Sequence, residues 1–219
     1  MFGRTISYAI QGIDARQISV EADVKGGLTK FSIVGLPSNS VKESRDRVSA
    51  AIKNAGYRFP THNYTVNLAP ADIKKEGVAL DLPTAIALII ALNQMKSSIL
   101  DRYALVGELS LDGNLRPVRG VLPMAFAAWK DGLDGLILPS EHAREAAIIK
   151  NLKVYPVTTL NEAVNFLEQK INIEPFQIQG ENVFQQLNSS NLDLFDVKGQ
   201  FQVKRALEVA AAGGHNLLM

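Results

Sequence analysis

The sequence predicts a mixed α/β domain, and three patterns carry this prediction. Residues 18–24 and 64–68 alternate apolar and polar side chains, which is the period-two pattern of a strand with one solvent-facing side. Residues 41–55 repeat apolar side chains at helical spacing, so we expect them to form an amphipathic helix. Hydrophobic residues make up 47% of the 219 residues, enough to bury a core, and this excludes a fully disordered chain.

Residues typical of turns and of helix caps indicate where the elements next to these segments begin. Residues 31–34 are a further predicted strand, and a Gly-Gly turn signal precedes it, so we expect a hairpin with residues 18–24. Ser38 or Asn39 can cap the helix that follows, because either side chain accepts a free backbone N–H of the first turn. The first third of the chain therefore predicts two paired strands and a capped helix.

A second helix is expected to lie at the centre of the fold. From about residue 82 to residue 95 the sequence is apolar almost all round, with Pro83 tolerated in the first turn. Such a helix has no polar face to turn towards water, so it is predicted to be buried between layers. The remaining predicted elements are strands over 103–109, 115–118, 135–138 and 154–157 and helices over 121–130, 141–149 and 160–169.

The composition changes after residue 170. Residues 171–195 are rich in Asn, Gln and Ser, which is typical of a linker. A helix is predicted over 201–212, and residues 215–219 resemble the first half of a buried strand. We therefore expect a domain over 1–170, a linker over 171–195 and, over 196–219, the truncated start of another module. This suggests a fragment of something longer.

Several classes of site are excluded by residue type. The chain has no cysteine, which removes disulfide scaffolds, thiolate zinc sites and cysteine nucleophiles. It contains neither a G-x-x-x-x-G-K-[ST] phosphate loop nor a G-x-S-x-G nucleophile motif, and its three histidines are scattered. We expect no metal ligands and no catalytic residue. Neither a signal peptide nor a bilayer-spanning apolar run is present, so we expect a cytoplasmic protein without a membrane partner.

Charge is distributed unevenly although its sum is nearly zero. The formal net charge is +1, yet residues 1–75 carry 11 Lys and Arg against 6 Asp and Glu. Such clustering is what phosphate binding needs, because released counterions drive the affinity. The alternative is a solvated helix face whose charges pair internally at i,i+4 spacing, as in Lys42/Asp46. Glu43 and Arg47 offer a second such pair.

Short motifs that belong together are spread over nearly the whole chain outside the linker. They are IVGLP (33–37), VKESRDRV (41–48), NLAPAD (67–72), KKEG (74–77), DLP (81–83), GELSLDG (107–113), RPVRG (116–120), DVKGQ (196–200) and AAAGGHNLL (210–218). Each motif is short, but together they resemble the ComM/YifB family of magnesium-chelatase-like AAA+ ATPases.

The resemblance implies a fold and a cofactor. The fold is the Lon-protease-like, or ribosomal-protein-like, α/β domain, a two-layer mixed sheet with helices, in its ChlI-type form over 1–170. After the linker come the first helix and strand of an AAA+ module. In the family the phosphate loop follows this strand, so ATP and Mg²⁺ are expected in the full-length protein and no cofactor for this chain. The segment that lines the adenine pocket corresponds to Val197, Lys198, Gly199 and Gln200.

Lon proteases use a Ser–Lys dyad on this scaffold, and the resemblance indicates which residues stand in its place. Ala79 falls at the serine position, and Leu122 or Met124 falls near the lysine position. None of these side chains has a nucleophilic oxygen or a proton-accepting amine. We therefore expect a domain that does not cleave peptides. An active peptidase is the rival hypothesis.

The resemblance also implies a function for the full-length protein, a hexameric ATP-driven motor that promotes branch migration of DNA during natural transformation. This chain is then expected to support ring assembly, to bind single-stranded or branched DNA, or both. The residues expected to meet phosphates are Lys42 and Arg45 on the first helix and Lys74 and Lys75 on a later loop. A metal-insertion subunit, as the magnesium-chelatase name indicates, and a purely structural oligomerisation domain are the alternatives.

Overall fold

The structure is a computed structural model that describes residues 1–28, 30–178 and 194–218. It divides into two units, Met1–Ile178 and Gln179–Met219. The first unit extends past the predicted domain end because the chain returns to the sheet there, where the backbone N–H of Phe176 donates to the carbonyl of Val154. Residues 179–193 of the predicted linker lie outside the described residues.

Nine strands are formed by the described residues. They are β1 (Phe2–Gln11), β2 (Asp14–Gly26), β3 (Lys30–Val34), β4 (His62–Ala69), β5 (Tyr103–Leu105), β6 (Glu108–Leu109), β7 (Leu115–Arg116), β8 (Gly135–Pro139) and β9 (Lys153–Val157). Seven of them make one mixed sheet in the order β3-β4-β2-β1-β5-β8-β9, and β6 and β7 pair separately. Strand β2 is antiparallel to β1 and β4, and the other four pairings of the large sheet are parallel.

Six α-helices complete the described part of the chain. They are α1 (Asn39–Asn54), α2 (Asp81–Ala91), α3 (Val121–Lys130), α4 (Ala143–Ala146), α5 (Leu160–Leu167) and α6 (Phe201–Gly213). Within the described ranges, none of them combines the length and the apolar character that a bilayer crossing needs.

Apolar side chains pack on both faces of the large sheet. Successive residues of a strand point to opposite faces, and on β1 Ala9 and Tyr8 belong to different core clusters. The cluster of Ala9 contains the inward residues of β2 and apolar residues of α1, α2 and α5. The cluster of Tyr8 contains Val121 and Met124 of α3 and Ala143 of α4. Helices therefore cover the sheet from two sides.

The predicted buried helix is confirmed as α2. Every residue of α2 except Ile90 is buried. It ends at Ala91, four residues before the predicted end, and Asn93 just beyond it has a left-handed backbone with φ 55°. Strand β1 runs so close to α2 that a Cβ on Gly3 would lie 2.1 Å from the carbonyl oxygen of Ala87, so only glycine fits there.

The predicted hairpin between residues 18–24 and 31–34 is wrong. Strand β2 pairs with β1 and β4, whereas β3 lies at the sheet edge and pairs in parallel with β4. Strand β4 lies between β2 and β3, and the other edge of β2 is taken by β1, a strand that sequence patterning missed. The residues of β1 on the face towards α2, Gly3, Thr5 and Ser7, are small or polar, whereas the apolar Ile6, Tyr8 and Ile10 alternate on the other face.

Other predicted elements differ in extent. The strand over 103–109 is interrupted between β5 and β6, and the helix over 141–149 is a single α-helical turn, α4, that follows a short 3-10 turn. Residues 215–218 form no regular strand, and Met219 lies outside the described residues. The helices over 121–130, 160–169 and 201–212 are present within a few residues of their predicted ends.

Candidate functional site

The start of α1 and the loop over 70–77 form one end of the first unit. The backbone N–H of Ser38 donates to the carbonyl of Lys75 at 2.9 Å, and the N–H of Lys75 donates to the carbonyl of Leu36 at 3.1 Å. Ser38 also caps α1, because its hydroxyl accepts from the N–H of Val41 at 3.4 Å. Lys42 lies on the first turn of α1 and Lys74 beside this attachment, so both belong to the same end.

Three of the predicted phosphate contacts are exposed there, and we call Lys42, Arg45 and Lys74 the basic end. Lys42 has no ion-pair partner among the described residues. Arg45 binds the carboxylate of Asp46 through Nε at 3.0 Å and Nη2 at 3.3 Å, and Lys74 pairs with Glu76 at 2.5 Å. Exposed pairs of this kind are weak, so a phosphate can compete for both cations.

The fourth predicted phosphate contact, Lys75, is not exposed, and this corrects the prediction. Its side chain is fully buried, and Nζ donates to the carbonyl oxygen of Pro70. Burial lowers its pKa, because desolvation penalises the charged ammonium. Lys75 therefore closes the loop from inside and does not present its charge to solvent. Its neighbour Lys74 is the only lysine of the pair that faces outward.

The i,i+4 pairs predicted on α1 are not formed. Asp46 binds its neighbour Arg45, and Arg47 turns inward to the carboxylate of Asp81 on α2, with Nε–Oδ2 at 3.0 Å and Nη2–Oδ1 at 3.3 Å. Asp81 is 1% exposed and also accepts from the N–H of Leu109 at 3.3 Å. Its burial raises the pKa to about 6, against the opposing effect of Arg47. The sequence signal for this pair was a single acidic residue, Asp81, at the start of the otherwise apolar helix α2.

The positions of the Lon-type dyad are apolar in the structure as well as in the sequence. Ala79 and Met124 belong to one buried cluster, with 7% and 2% exposure, together with Tyr8 and Val106. Leu122, the other residue near the lysine position, is partly buried. Within residues 1–28 and 30–178, no lysine ammonium is hydrogen-bonded to a serine or threonine hydroxyl.

Comparisons with known proteins show which family this chain resembles. Residues 20–142 match the family described as subunit ChlI of Mg-chelatase, and residues 193–219 match magnesium chelatase, subunit ChlI. The competence protein ComM of Haemophilus influenzae is 41% identical over 214 residues, which are 97% of this chain and 42% of that protein. The uncharacterized protein YifB of Salmonella typhimurium is 43% identical over 213 residues, 96% of this chain and 41% of that protein.

The chain belongs to the ComM/YifB family of magnesium-chelatase-like proteins. It spans about two fifths of the length of these relatives. This ComM/YifB-type chain is also similar to the Lon protease of Endomicrobium trichonymphae, at 20% identity over 186 residues, 78% of this chain and 23% of that protein. The mixed sheet of the first unit agrees with the predicted Lon-protease-like fold.

The second unit of this ComM/YifB-type chain contains the predicted adenine-pocket segment. Val197, Lys198, Gly199 and Gln200 are exposed and lead directly into α6. Gly199 and Gln200 have left-handed backbones, with φ 71° and 53°. Their assignment to an adenine pocket stays a prediction. Among the described residues, no group of three or more His, Asp or Glu is arranged to hold a metal ion.

A further polar cluster that sequence patterning missed fixes the start of α3. The N–H of Val118 donates to Nε2 of His142 at 3.0 Å, so His142 carries its proton on Nδ1. Nδ1 in turn donates to Oε2 of Glu145 at 3.0 Å, and Oε1 accepts from the N–H of Leu122 at 3.2 Å. The spacing of His142 and Glu145 was visible in the sequence, but their partners lie more than twenty residues away.

Proposed function

We propose that this chain is a non-proteolytic, DNA-contacting region of a ComM-type AAA+ protein. The observation that carries the proposal is the contrast between two places in the first unit. At the dyad positions the apolar Ala79 and Met124 are buried and the apolar Leu122 is partly buried, whereas the basic end holds three exposed cations. A scaffold with apolar residues at the dyad positions and exposed cations at the basic end is suited to binding a polyanion.

The relatives give the proposal its biological direction. Haemophilus influenzae ComM is named a competence protein. We assign this chain to the same process, in which the full-length protein drives branch migration of single-stranded or branched DNA in the cytoplasm. In this proposal the full-length protein binds ATP and Mg²⁺, and Val197 and Gln200 belong to the segment that lines the adenine pocket. The active form is a homo-oligomer, a hexamer.

A salt titration tests the DNA contact. The 219-residue chain is titrated onto fluorescein-labelled single-stranded DNA at several salt concentrations. For the double variant Lys42→Ala/Lys74→Ala, the slope of log affinity against log salt should fall by about 0.7 for each lost phosphate contact. The matched control Lys130→Ala/Lys150→Ala removes two exposed cations from elsewhere and should keep the slope. An unchanged slope for the first variant contradicts the assignment.

The alternatives have separate readouts. A metal-insertion role rests on the family name, and the full-length protein would then bind porphyrin and magnesium in direct titrations. A purely structural oligomerisation role predicts that the sedimentation of the chain does not change when DNA is added. An active peptidase would turn over casein or a fluorogenic peptide and would lose that turnover when one serine is replaced.

A further inference from the structure

A cleft of about 350 Å³ lies between α1 and the edge of the large sheet. Strand β3 contributes Phe31 and strand β4 contributes Tyr64, while Phe59 comes from the segment before β4. Helix α1 contributes Arg45 and Lys53 from its outer side. Asp46, Ser49, Pro60 and Thr61 complete the lining. We call this the aromatic cleft.

Three stacked rings form one wall of the aromatic cleft. The rings of Phe59 and Tyr64 are nearly parallel, with centroids 4.3 Å apart and an interplanar angle of 7°. Phe31 lies 5.7 Å from Tyr64 and 6.4 Å from Phe59. Tyr64 is fully buried and stacks on one face of Phe59, whereas Phe31 and Phe59 are partly buried and line the cleft.

Cations flank the rings. Arg45, Ser49 and Lys53 follow one another at four-residue spacing, which places them on successive turns of one side of α1. Arg45 and Lys53 are separated by about 12 Å along the helix axis, so they bracket the cleft. Nζ of the exposed Lys53 lies over the ring of Phe59, 5.7 Å from its centroid, so a base that stacks on this ring moves the ammonium aside towards the phosphates. Within the described ranges Lys53 has no carboxylate partner. The pairing of Arg45 with Asp46 is solvent-exposed and therefore weak.

We propose that the aromatic cleft holds one base of single-stranded DNA, with its flanking phosphates on Arg45 and Lys53. Every nucleobase offers a flat π surface that stacks on an aromatic ring, and cations beside the ring neutralise the backbone. In a duplex the bases are already stacked on one another, so the cleft selects unpaired strands. This inference rests on the proposed DNA-binding function and deepens it, because Arg45 belongs to both the basic end and the cleft.

The test separates base stacking from charge. The 219-residue chain is titrated by fluorescence anisotropy with labelled oligothymidylate and with an abasic oligonucleotide of the same length, which has the same phosphates and no bases. Stacking of one base predicts that oligothymidylate binds at least about fivefold more tightly. In Phe59→Leu this ratio should fall to about one. Lys53→Ala should instead flatten the salt dependence for both strands.

Two further variants keep the result independent of folding defects. Phe126→Leu alters an exposed aromatic residue of α3 far along the chain and should keep the full ratio. Ser49→Met fills the cleft from a partly exposed helix position without replacing any of the three rings, and it should lower the ratio to about one. Thermal unfolding checks that each variant is folded.

The outcomes are distinguishable from those of the proposed function. Equal affinity of the wild-type chain for both oligonucleotides overturns the inference and leaves DNA binding intact. The same holds if Ser49→Met, folded, keeps the full preference for oligothymidylate. If the chain binds neither oligonucleotide, the proposed function itself fails, and the base site fails with it.

Discussion

Arg47 of α1 binds both carboxylate oxygens of Asp81, the first residue of α2, at 3.0 and 3.3 Å. The two residues are 34 positions apart in sequence, and the acid is almost completely buried while the guanidinium is 25% exposed. The pair therefore fastens the helix that carries Lys42 and Arg45 to the central helix of the core. Stability of the basic end depends on this contact.

Arg47→Ala should lower the free energy of unfolding at pH 7 by about 3 kcal/mol, because it leaves the carboxylate of Asp81 buried and without its cation. Urea denaturation followed by circular dichroism measures the change. Arg45→Ala, two positions earlier on the same helix, breaks only an exposed pair and should leave the unfolding free energy nearly unchanged. If the two variants lose the same free energy of unfolding, burial of Asp81 does not make its pairing with Arg47 more stabilising than an exposed pair.

The pKa of Asp81 gives a pH dependence with a definite sign. Its folded-state value is raised from 3.8 to about 6, so between these pH values the folded chain holds the proton more tightly than the unfolded chain. The contribution of Asp81 to the free energy of unfolding is fully present below about pH 4 and is lost as the pH rises through 6. As the pH rises from about 4 to above 6, the free energy of unfolding of the wild-type chain should fall by up to about 3 kcal/mol relative to that of Asp81→Asn.

Urea unfolding of the wild type and of Asp81→Asn at pH 4, 5, 6 and 7 provides the difference curve. A difference that increases with pH would mean that Arg47 outweighs burial and holds the pKa of Asp81 below its ordinary value.

Lys74 and Lys75 are adjacent in sequence but should respond oppositely to substitution. Lys75→Ala removes a fully buried stem and should lower the free energy of unfolding by about 2 kcal/mol, whereas Lys74→Ala should have little effect on stability. Lys75→Met, which keeps the buried stem, should leave the salt slope of DNA binding at its wild-type value. A flattened slope in a folded Lys75→Met chain would return Lys75 to the phosphate contacts.

Glu145 should stabilise the start of α3. Gly120 is the N-cap residue of this helix and has no side chain that could accept a hydrogen bond. The carboxylate of Glu145, a residue of α4, caps the helix instead, because it accepts from the backbone N–H of Leu122. Glu145→Ala should lower the free energy of unfolding by about 1 kcal/mol and speed hydrogen exchange at the amide of Leu122. Glu141→Ala, an exposed acid on the same segment, is the control and should change neither quantity.

The helices could be predicted where burial alone sets the spacing of apolar residues. Helix α1 shows a single apolar stripe and α2 is apolar all round, and both patterns follow directly from the side of the helix that meets the core. Strand β1 was missed because α2 approaches one of its faces so closely that Gly3, Thr5 and Ser7 replace large apolar residues there, although Ile6, Tyr8 and Ile10 alternate on the other face.

The candidate site shows the same division. Exposed Lys42, Arg45 and Lys74 could be identified from local charge. The inward turns of Arg47 and Lys75 could not, since their partners Asp81 and the carbonyl of Pro70 are chosen by tertiary packing. The sequence spacing predicted a solvent-facing ion pair for Arg47 and a phosphate contact for Lys75.

The basic end is tested most directly by reversing its charge. Lys42→Glu/Lys74→Glu and Lys130→Glu/Lys150→Glu carry the same net charge, so only the position of the change differs between them. In a titration with single-stranded DNA at fixed salt, the first double variant should lose at least about tenfold in affinity, and the second should stay close to the wild type. Equal losses in both, with both chains folded, would contradict a localised DNA contact at this end of the molecule.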